Sequence, residues 1–290
     1  MKIAFVGKGG SGKSSVSWLV TRTLLAQKRG VLAVDTDYNM DLAHNLGWDE
    51  SNKTNFINDS EEDFYAYVGL DATQPYRAIM NLQDLPSFSL DPKDRFSQKY
   101  APEWSDKLSL MVSGGTHEEL LYGHRCGHAY MAPVKFYLPL LNLSADQAVV
   151  VDSVAGTDMV AYGLYTGVDA VVVVVEPTRH SRGVYEQISS ITREFGIPTY
   201  GVANKVTLES DMTQLAGIEL LGAIPSDVHL VNHDYEKLAE STVLAANKLV
   251  KKLGAVTKNA SEAWPRFERW LDKYEEQKEK VEQDSFKKHR

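Results

Sequence analysis

The chain has a single cysteine, Cys126, among its 290 residues. That excludes an internal disulfide framework, and it excludes any zinc or iron-sulfur site that needs several thiolates from one chain. It also lacks a hydrophobic run long enough to span a bilayer. The opening MKIAFVGKGG carries one basic residue before a short apolar run that breaks at glycines, which fits neither a signal peptide nor a spanning helix, so a cytoplasmic protein is expected. Positive charge is in the minority: 31 Lys plus Arg stand against 39 Asp plus Glu, for a formal charge of -8. An acidic total argues against a general polyanion binder, and neither nucleic acid nor membrane is expected as a partner. Internal repeats and low-complexity linkers are missing as well, while 43% hydrophobic residues supply a substantial core and exclude a disordered or fibrous chain.

What is present is a rhythm. Apolar runs of strand length occur at Lys2 to Val6, Val31 to Val34, Leu108 to Val112, Ala148 to Val151, Ala170 to Val175, Thr199 to Ala203 and Glu219 to Ile224. Several are nearly unbroken Val, Ile and Ala, the composition of strands covered on both faces of a parallel sheet. Helical patterns lie between them, at Lys13 to Lys28 and Ser181 to Phe195, each stopping near a glycine. The alternation predicts an α/β fold with a doubly wound, mostly parallel sheet and ligands at the carboxyl ends of its strands. Residues 1–262 are expected to form this domain. Within it, about 48–107 form an insertion holding ten of the 28 aromatics with Pro75, Pro86, Pro92 and Pro102, either a structured cap on the sheet or a partner or lid surface. Residues 263–290 place Phe267, Trp270, Leu271 and Tyr274 at helical spacing before an almost wholly charged tail.

The sharpest signal is Gly7-Lys8-Gly9-Gly10-Ser11-Gly12-Lys13-Ser14, which satisfies G-x-x-x-x-G-K-[ST] between a strand and a helix, the context of a phosphate-binding loop. Gly9, Gly10, Ser11, Gly12, Lys13, Ser14 and Ser15 are the expected phosphate cradle, with Lys13 reaching the β and γ oxygens and Ser14 placed for Mg²⁺. Val149-Val150-Val151-Asp152 ends a hydrophobic strand in an acid, either a water-mediated Mg²⁺ contact or a cap on the next helix. Asp37 and Asp41, in Val34-Asp35-Thr36-Asp37-Tyr38-Asn39-Met40-Asp41, face the same choice between metal and water positioning and capping. Asn204-Lys205 closes another strand and resembles the N-K base-recognition element of nucleotide-binding proteins. That resemblance implies that guanine selection would need an Asp two residues past the lysine; Thr207 stands there, so adenine is favoured.

Lys8 makes the loop K-G-G-x-G-K-[ST], which resembles the deviant Walker A P-loop ATPases that include MinD, ParA, ArsA and the nitrogenase iron protein. The resemblance implies an ATP hydrolase and an ATP-dependent homodimer in which Lys8 crosses the two-fold interface to the partner's nucleotide, Lys13 and Asp37 join it in catalysis, and Asp37 orients the attacking water. A solvated loop charge is the plainer alternative for Lys8. Asp41 takes a switch role near the metal, and Ser14, Asp37, Asp41 and Asp152 hold Mg²⁺ directly or through water. Asn204, Pro225 and Asp227 are implied to border the adenine, the last two through Ile224-Pro225-Ser226-Asp227, which is similar to the family's I-P-x-D loop. Tyr38 replaces a common proline.

Asp152-Ser153-Val154-Ala155-Gly156, Val174-Val175-Glu176-Pro177-Thr178 and Gly123-His124-Arg125-Cys126 narrow the resemblance to the carbon monoxide dehydrogenase accessory ATPases of the CooC kind, which act in nickel insertion. That implies a client metalloenzyme as partner. Those proteins carry G-C-x-C, with two thiolates from each subunit on one ion; here His124 takes the first position, and His128 follows Cys126. Two copies of His124 and Cys126 could build a four-coordinate N₂S₂ site for Ni²⁺ or Zn²⁺, or Cys126 packs as a small hydrophobe. One cysteine per chain rules out the iron protein's cluster. A ParA or MinD type positioning ATPase, binding DNA or membrane in its ATP state, is the alternative function.

Overall fold

The computed structural model describes residues 1–49, 51–52, 54–71, 73–74, 76–114, 132–156, 163–207, 212–258 and 262–288. Its centre is an eight-stranded sheet. In chain order the strands are β1 (Lys2–Gly7), β2 (Gly30–Asp35), β4 (Glu103–Ser105), β5 (Leu108–Val112), β7 (Gln147–Asp152), β8 (Ala170–Val175), β9 (Thr199–Val206) and β10 (Leu220–Pro225). Across the sheet they run β10-β9-β8-β1-β7-β2-β5-β4, every pairing parallel except the antiparallel β4–β5 edge. The chain leaves β1 toward one side and later returns to β8 on the other. The carboxyl end of β1 therefore lies beside the topological switch point of the sheet, where a crevice opens.

Side chains along a strand alternate between faces, and here both faces are covered. Ile3 and Phe5 of β1, Val150 of β7 and Val172 and Val174 of β8 pack under α1 (Lys13–Ala26), which contributes Val16, Leu19, Val20 and Leu24, and under α8 (Glu240–Val256), which contributes Ala246, Leu249 and Leu253. Ala4, Val6, Val149, Val151, Val171 and Val173 point the other way. That second face receives the aromatic insertion: Phe64 of α3 (Glu61–Val68), Phe88 of β3 (Phe88–Ser89) and Phe96 of α4 (Arg95–Tyr100) meet Phe136 and Tyr137 of α5 (Ala132–Leu140) in one buried cluster. Phe64 and Phe88 stack at 6.0 Å, and Phe88 lies 4.8 Å from Tyr137. A short strand β6 (Leu141–Asn142) pairs with β3. The flank of β8 is completed by α6 (Arg179–Glu194), whose Thr178 caps its N-terminus by accepting from the Ser181 amide.

Beyond β10 come α7 (Val228–Val231), α8 and α9 (Ala263–Lys288). In α9 Phe267, Trp270 and Leu271 are buried, and the buried Arg266 guanidinium donates to the Val168 carbonyl at 2.6 Å, anchoring the helix to the turn before β8. Among the described residues no helix is long and apolar enough to cross a membrane. The seven strands expected from the sequence form with ends shifted by no more than a few residues. β3, β4 and β6 escape the pattern because two or three residues cannot establish a period.

Candidate nucleotide site

β1 ends at Gly7 and α1 begins at Lys13, so the turn between them must reverse tightly. The Ser11 amide donates back to the Lys8 carbonyl at 3.0 Å, and Gly12 sits at φ +84°, a left-handed conformation that side chains other than glycine's resist. At Gly7 a methyl group would lie 2.6 Å from the Ser11 hydroxyl and 2.7 Å from the Val174 carbonyl, so packing alone requires glycine there. The loop is held from outside as well. Asn204, at the end of β9, donates its amide to the Ser11 carbonyl at 2.9 Å. Lys205 reaches the Gly10 carbonyl at 2.6 Å and Glu176 at 2.7 Å, while the Gly156 amide holds the Gly7 carbonyl at 2.9 Å. What remains is a cradle of amides at the head of a 14-residue helix, an arrangement suited to anions. Lys8, Gly9 and Gly10 are exposed on its rim; Lys13 and Ser11 are buried, and the Ser11 hydroxyl has no hydrogen-bond partner among the described residues.

Beneath the cradle, β2 and β7 end in Asp35 and Asp152, direct partners in the parallel register and both fully buried. Asp35 accepts from the amides of Asp37 at 3.0 Å and Ala43 at 2.9 Å, and so shapes the turn that carries Asp37. Asp152 accepts from the Ser17 hydroxyl at 3.0 Å, and its second oxygen is buried with no hydrogen-bond partner among the described residues. Burial pushes Asp152 up to about 6, against the opposing pull of Lys13, Ser14 and Ser17. Burial, and then the charge of Asp152, also pushes Asp35 well above the ordinary carboxylate range. Lys13 lies 3.4 Å from the Asp37 carboxylate. The buried Asp152 oxygen, with Ser14 near it, suits a hard ion such as Mg²⁺.

The structure thus brings Lys13, Ser14, Asp37 and Asp152 together under the loop. Asp41 is not among them; it occupies the exposed first turn of α2 (Asp41–Asn45), on the side of His233. Ser15 faces His233 as well, at 3.3 Å from its Nε2. Asp227 lies in the loop after Pro225. Its carboxylate accepts from the His229 amide at 2.8 Å, the Ala239 amide at 2.9 Å and the Thr242 hydroxyl at 2.7 Å, and so fastens that loop to α8. Partial burial opposes its ionisation, yet those three donors hold it below the usual carboxylate range. His124 and Cys126, with His117 and His128, lie outside the described residues. Among the described residues no group of three or more His, Cys, Asp or Glu side chains is arranged to hold a metal ion.

Sequence reasoning passed over Asp35, Ser17, the Glu176–Lys205 pair and His233. Asp35 ends its strand as Asp152 does, and Ser17 lies one helical turn beyond Lys13, so both carried a usable signal. His233 carried none, because only the turn after α7 brings it over Trp18, at 5.2 Å between ring centres.

Residues 3–239 match the family described as CbiA, the CobQ/CobB/MinD/ParA nucleotide binding domain. Over 238 residues, 80% of this chain and 90% of the relative, the sequence is 26% identical to an uncharacterized ATP-binding protein of Methanocaldococcus jannaschii. It is 28% identical over 236 residues to the carbon monoxide dehydrogenase accessory protein CooC of Rhodospirillum rubrum, covering 78% of this chain and 84% of CooC. Its fold resembles the Pyrococcus furiosus cell division ATPase MinD, with a TM-score of 0.59 at 17% identity over 88% of this chain and 98% of that one. The Mg-ADP complex of MinD from Pyrococcus horikoshii gives 0.54 at 17% identity, over 87% and 95%.

Proposed function

The chain belongs to the CobQ/CobB/MinD/ParA nucleotide-binding family and is a P-loop ATPase, and from that premise we propose that it is an Mg-ATP-dependent homodimeric switch serving metallocentre maturation in a client enzyme. The observation that carries the switch is the opposite placement of two lysines in one loop. Lys13 is buried beside Asp37, whereas Lys8 is exposed on the rim and its ammonium makes no hydrogen bond or ion pair among the described residues. A buried lysine serves the nucleotide of its own subunit; an exposed one at the same phosphates is free to serve a facing subunit.

In this reading amides of 9–15 cradle the phosphates, Lys13 neutralises the β and γ oxygens, and Lys8 of one subunit adds charge to the transferring phosphate of the other. Asp37, held by Asp35 and Lys13, orients a water in line with the γ-phosphate. Ser14 and Asp152 would hold Mg²⁺, which would supply neutralisation of the charge that develops on the phosphate oxygens. Asn204 and the Pro225 loop border the adenine, with Asp227 fixing that loop in place. Closing on ATP and opening on hydrolysis would then give two states of different client affinity.

The metallocentre role rests on likeness to CooC and on the His124-Arg125-Cys126 stretch. Its test is anaerobic Ni²⁺ or Zn²⁺ loading of the wild type and Cys126→Ser. One ion per dimer, lost in the variant, supports it; a wild type that stays metal-free removes it.

One feature favours a positioning ATPase instead. Lys248, Lys251 and Lys252 flank the 54% exposed Leu244 on α8, a basic patch with an apolar centre. Co-sedimentation with DNA or with anionic vesicles only in the ATP state would move the function to that class.

A further inference from the structure

The loop that follows Pro225 is fastened at two points. Asp227 ties its start to α8, and farther on Tyr235 packs edge-on against Trp18 of α1, at 6.1 Å between ring centres. Between these anchors His233 takes φ +55°, a left-handed conformation uncommon outside glycine. Its amide donates to the Leu230 carbonyl at 3.3 Å, and its ring lies edge-on to the buried Trp18. A turn and aromatic packing thus hold the imidazole in one place, with Nε2 3.3 Å from the Ser15 hydroxyl. A backbone kept in a sparsely populated region by its surroundings points to a task for the side chain it carries. Ser15 is the third residue of α1, next to Ser14, in the first turn whose amides belong to the phosphate cradle.

We infer that His233 is a positioning residue for the nucleotide, aiming the Ser15 hydroxyl at the α-phosphate. A serine hydroxyl carries one proton and two lone pairs. If Nε2 accepts, that proton is spent on the ring and an oxygen lone pair faces the incoming anion. If Nε2–H donates, the Ser15 proton is left for a phosphate oxygen, and both dipoles point toward the negative charge. An anion at the head of α1 therefore selects the second arrangement. The two hydrogen bonds in series, imidazole to hydroxyl to phosphate, polarise one another, so the hydroxyl donates more strongly than it would alone.

The phosphate follows from the direction of the chain of groups. Lys13 and Asp37 mark the γ end, and in the proposed reading the adenine lies at Asn204 and the Pro225 loop. A nucleotide laid between them brings its α-phosphate, the one joined to the ribose, nearest the loop that carries His233. Ser15 turns its hydroxyl to that loop, whereas Lys13 turns to Asp37. One loop then borders the base and sets a phosphate donor together. This role rests on the proposed placement of ATP, and neither on dimerisation nor on the metallocentre.

The test is calorimetric titration of the full-length protein with Mg-ADP, together with steady-state ATP hydrolysis, for wild type, His233→Asn, His233→Gln, Ser15→Ala and the double variant Ser15→Ala/His233→Asn. Asparagine tolerates the left-handed backbone but holds no nitrogen at the Nε2 position, whereas the glutamine amide reaches it. His233→Asn and Ser15→Ala should each weaken ADP binding about tenfold, and the double variant no further. His233→Gln should regain most of the loss. In His233→Asn the KM for ATP should rise with kcat affected far less, because the α-phosphate contact is the same in the ground and transition states. Unchanged ADP affinity in His233→Asn, losses that add in the double variant, or a glutamine no better than asparagine overturns the role, since a residue that only supports the fold acts independently of Ser15. A wild type that binds no Mg-ADP overturns the nucleotide placement along with it. A wild type that shows the His233 effect and never dimerises contradicts the switch and leaves His233 in its role.

Discussion

Asp152 ends one parallel strand and Asp227 lies two residues beyond another, and in sequence the two look alike. Their surroundings are opposite. Asp152 is sealed under the phosphate loop with one oxygen unpartnered and a second buried acid in register beside it, and burial raises it to about 6. Asp227 lies nearer solvent with three donors around its carboxylate and is held below the ordinary range. In the proposed reading the first carboxylate would take a cation, while the second is held by donors of its own chain. A strand-end acid in a nucleotide-binding fold is thus assigned by what completes it, not by its place in a motif.

Substitutions sharpen that contrast. The largest effect is expected within the incomplete corner, where Lys13→Ala should lower ATP turnover by about a thousandfold, measured as phosphate release. Asp152→Asn should lower Mg-dependent turnover by about a hundredfold and yet raise the melting temperature of the nucleotide-free protein by about 2 °C, because it removes a buried charge facing Asp35. Asp227→Ala should do the reverse in the melting experiment, falling by a few degrees for about 1–2 kcal/mol of lost capping. If both variants melt lower, the distinction between the two acids fails. Lys205→Met, which frees Gly10 and Glu176 from their clamp, should weaken ADP binding by about tenfold with turnover at saturating ATP less affected.

The smallest effect belongs to pH. Burial lowers the Lys2 ammonium to about 8 from 10.5, with Asp169 opposing, and burial lowers Lys135 to about 8 as well. Between these values and the unfolded value the unfolded chain binds more protons, so stability should rise as pH goes from about 8 toward 10. Lys2→Met should reduce that slope without abolishing it, since Lys135 titrates in the same window; an unchanged slope in thermal melts would exclude Lys2 as its source.

Much of this was legible in the residues. The central strands were readable because parallel strands covered on both faces become continuous apolar runs, and Gly7 to Ser14 was readable because phosphate binding fixes glycine and lysine spacing. Contacts made only by tertiary approach were not. Nothing local to His233 announces that it reaches Ser15, and nothing around Asp227 predicts that Thr242, fifteen residues on, takes up its carboxylate. Pattern shows which groups carry charge, while burial and partners decide which of them remain unsatisfied.

The most direct measurement is the mass of the protein in solution, by sedimentation, with Mg-ADP and with a nonhydrolysable Mg-ATP analogue, for wild type and Lys8→Ala. A wild type that dimerises only with the ATP analogue, and a Lys8→Ala protein that binds the analogue but stays monomeric, is the predicted result. A Lys8→Ala protein that dimerises and hydrolyses ATP as the wild type does would contradict a lysine acting across the interface.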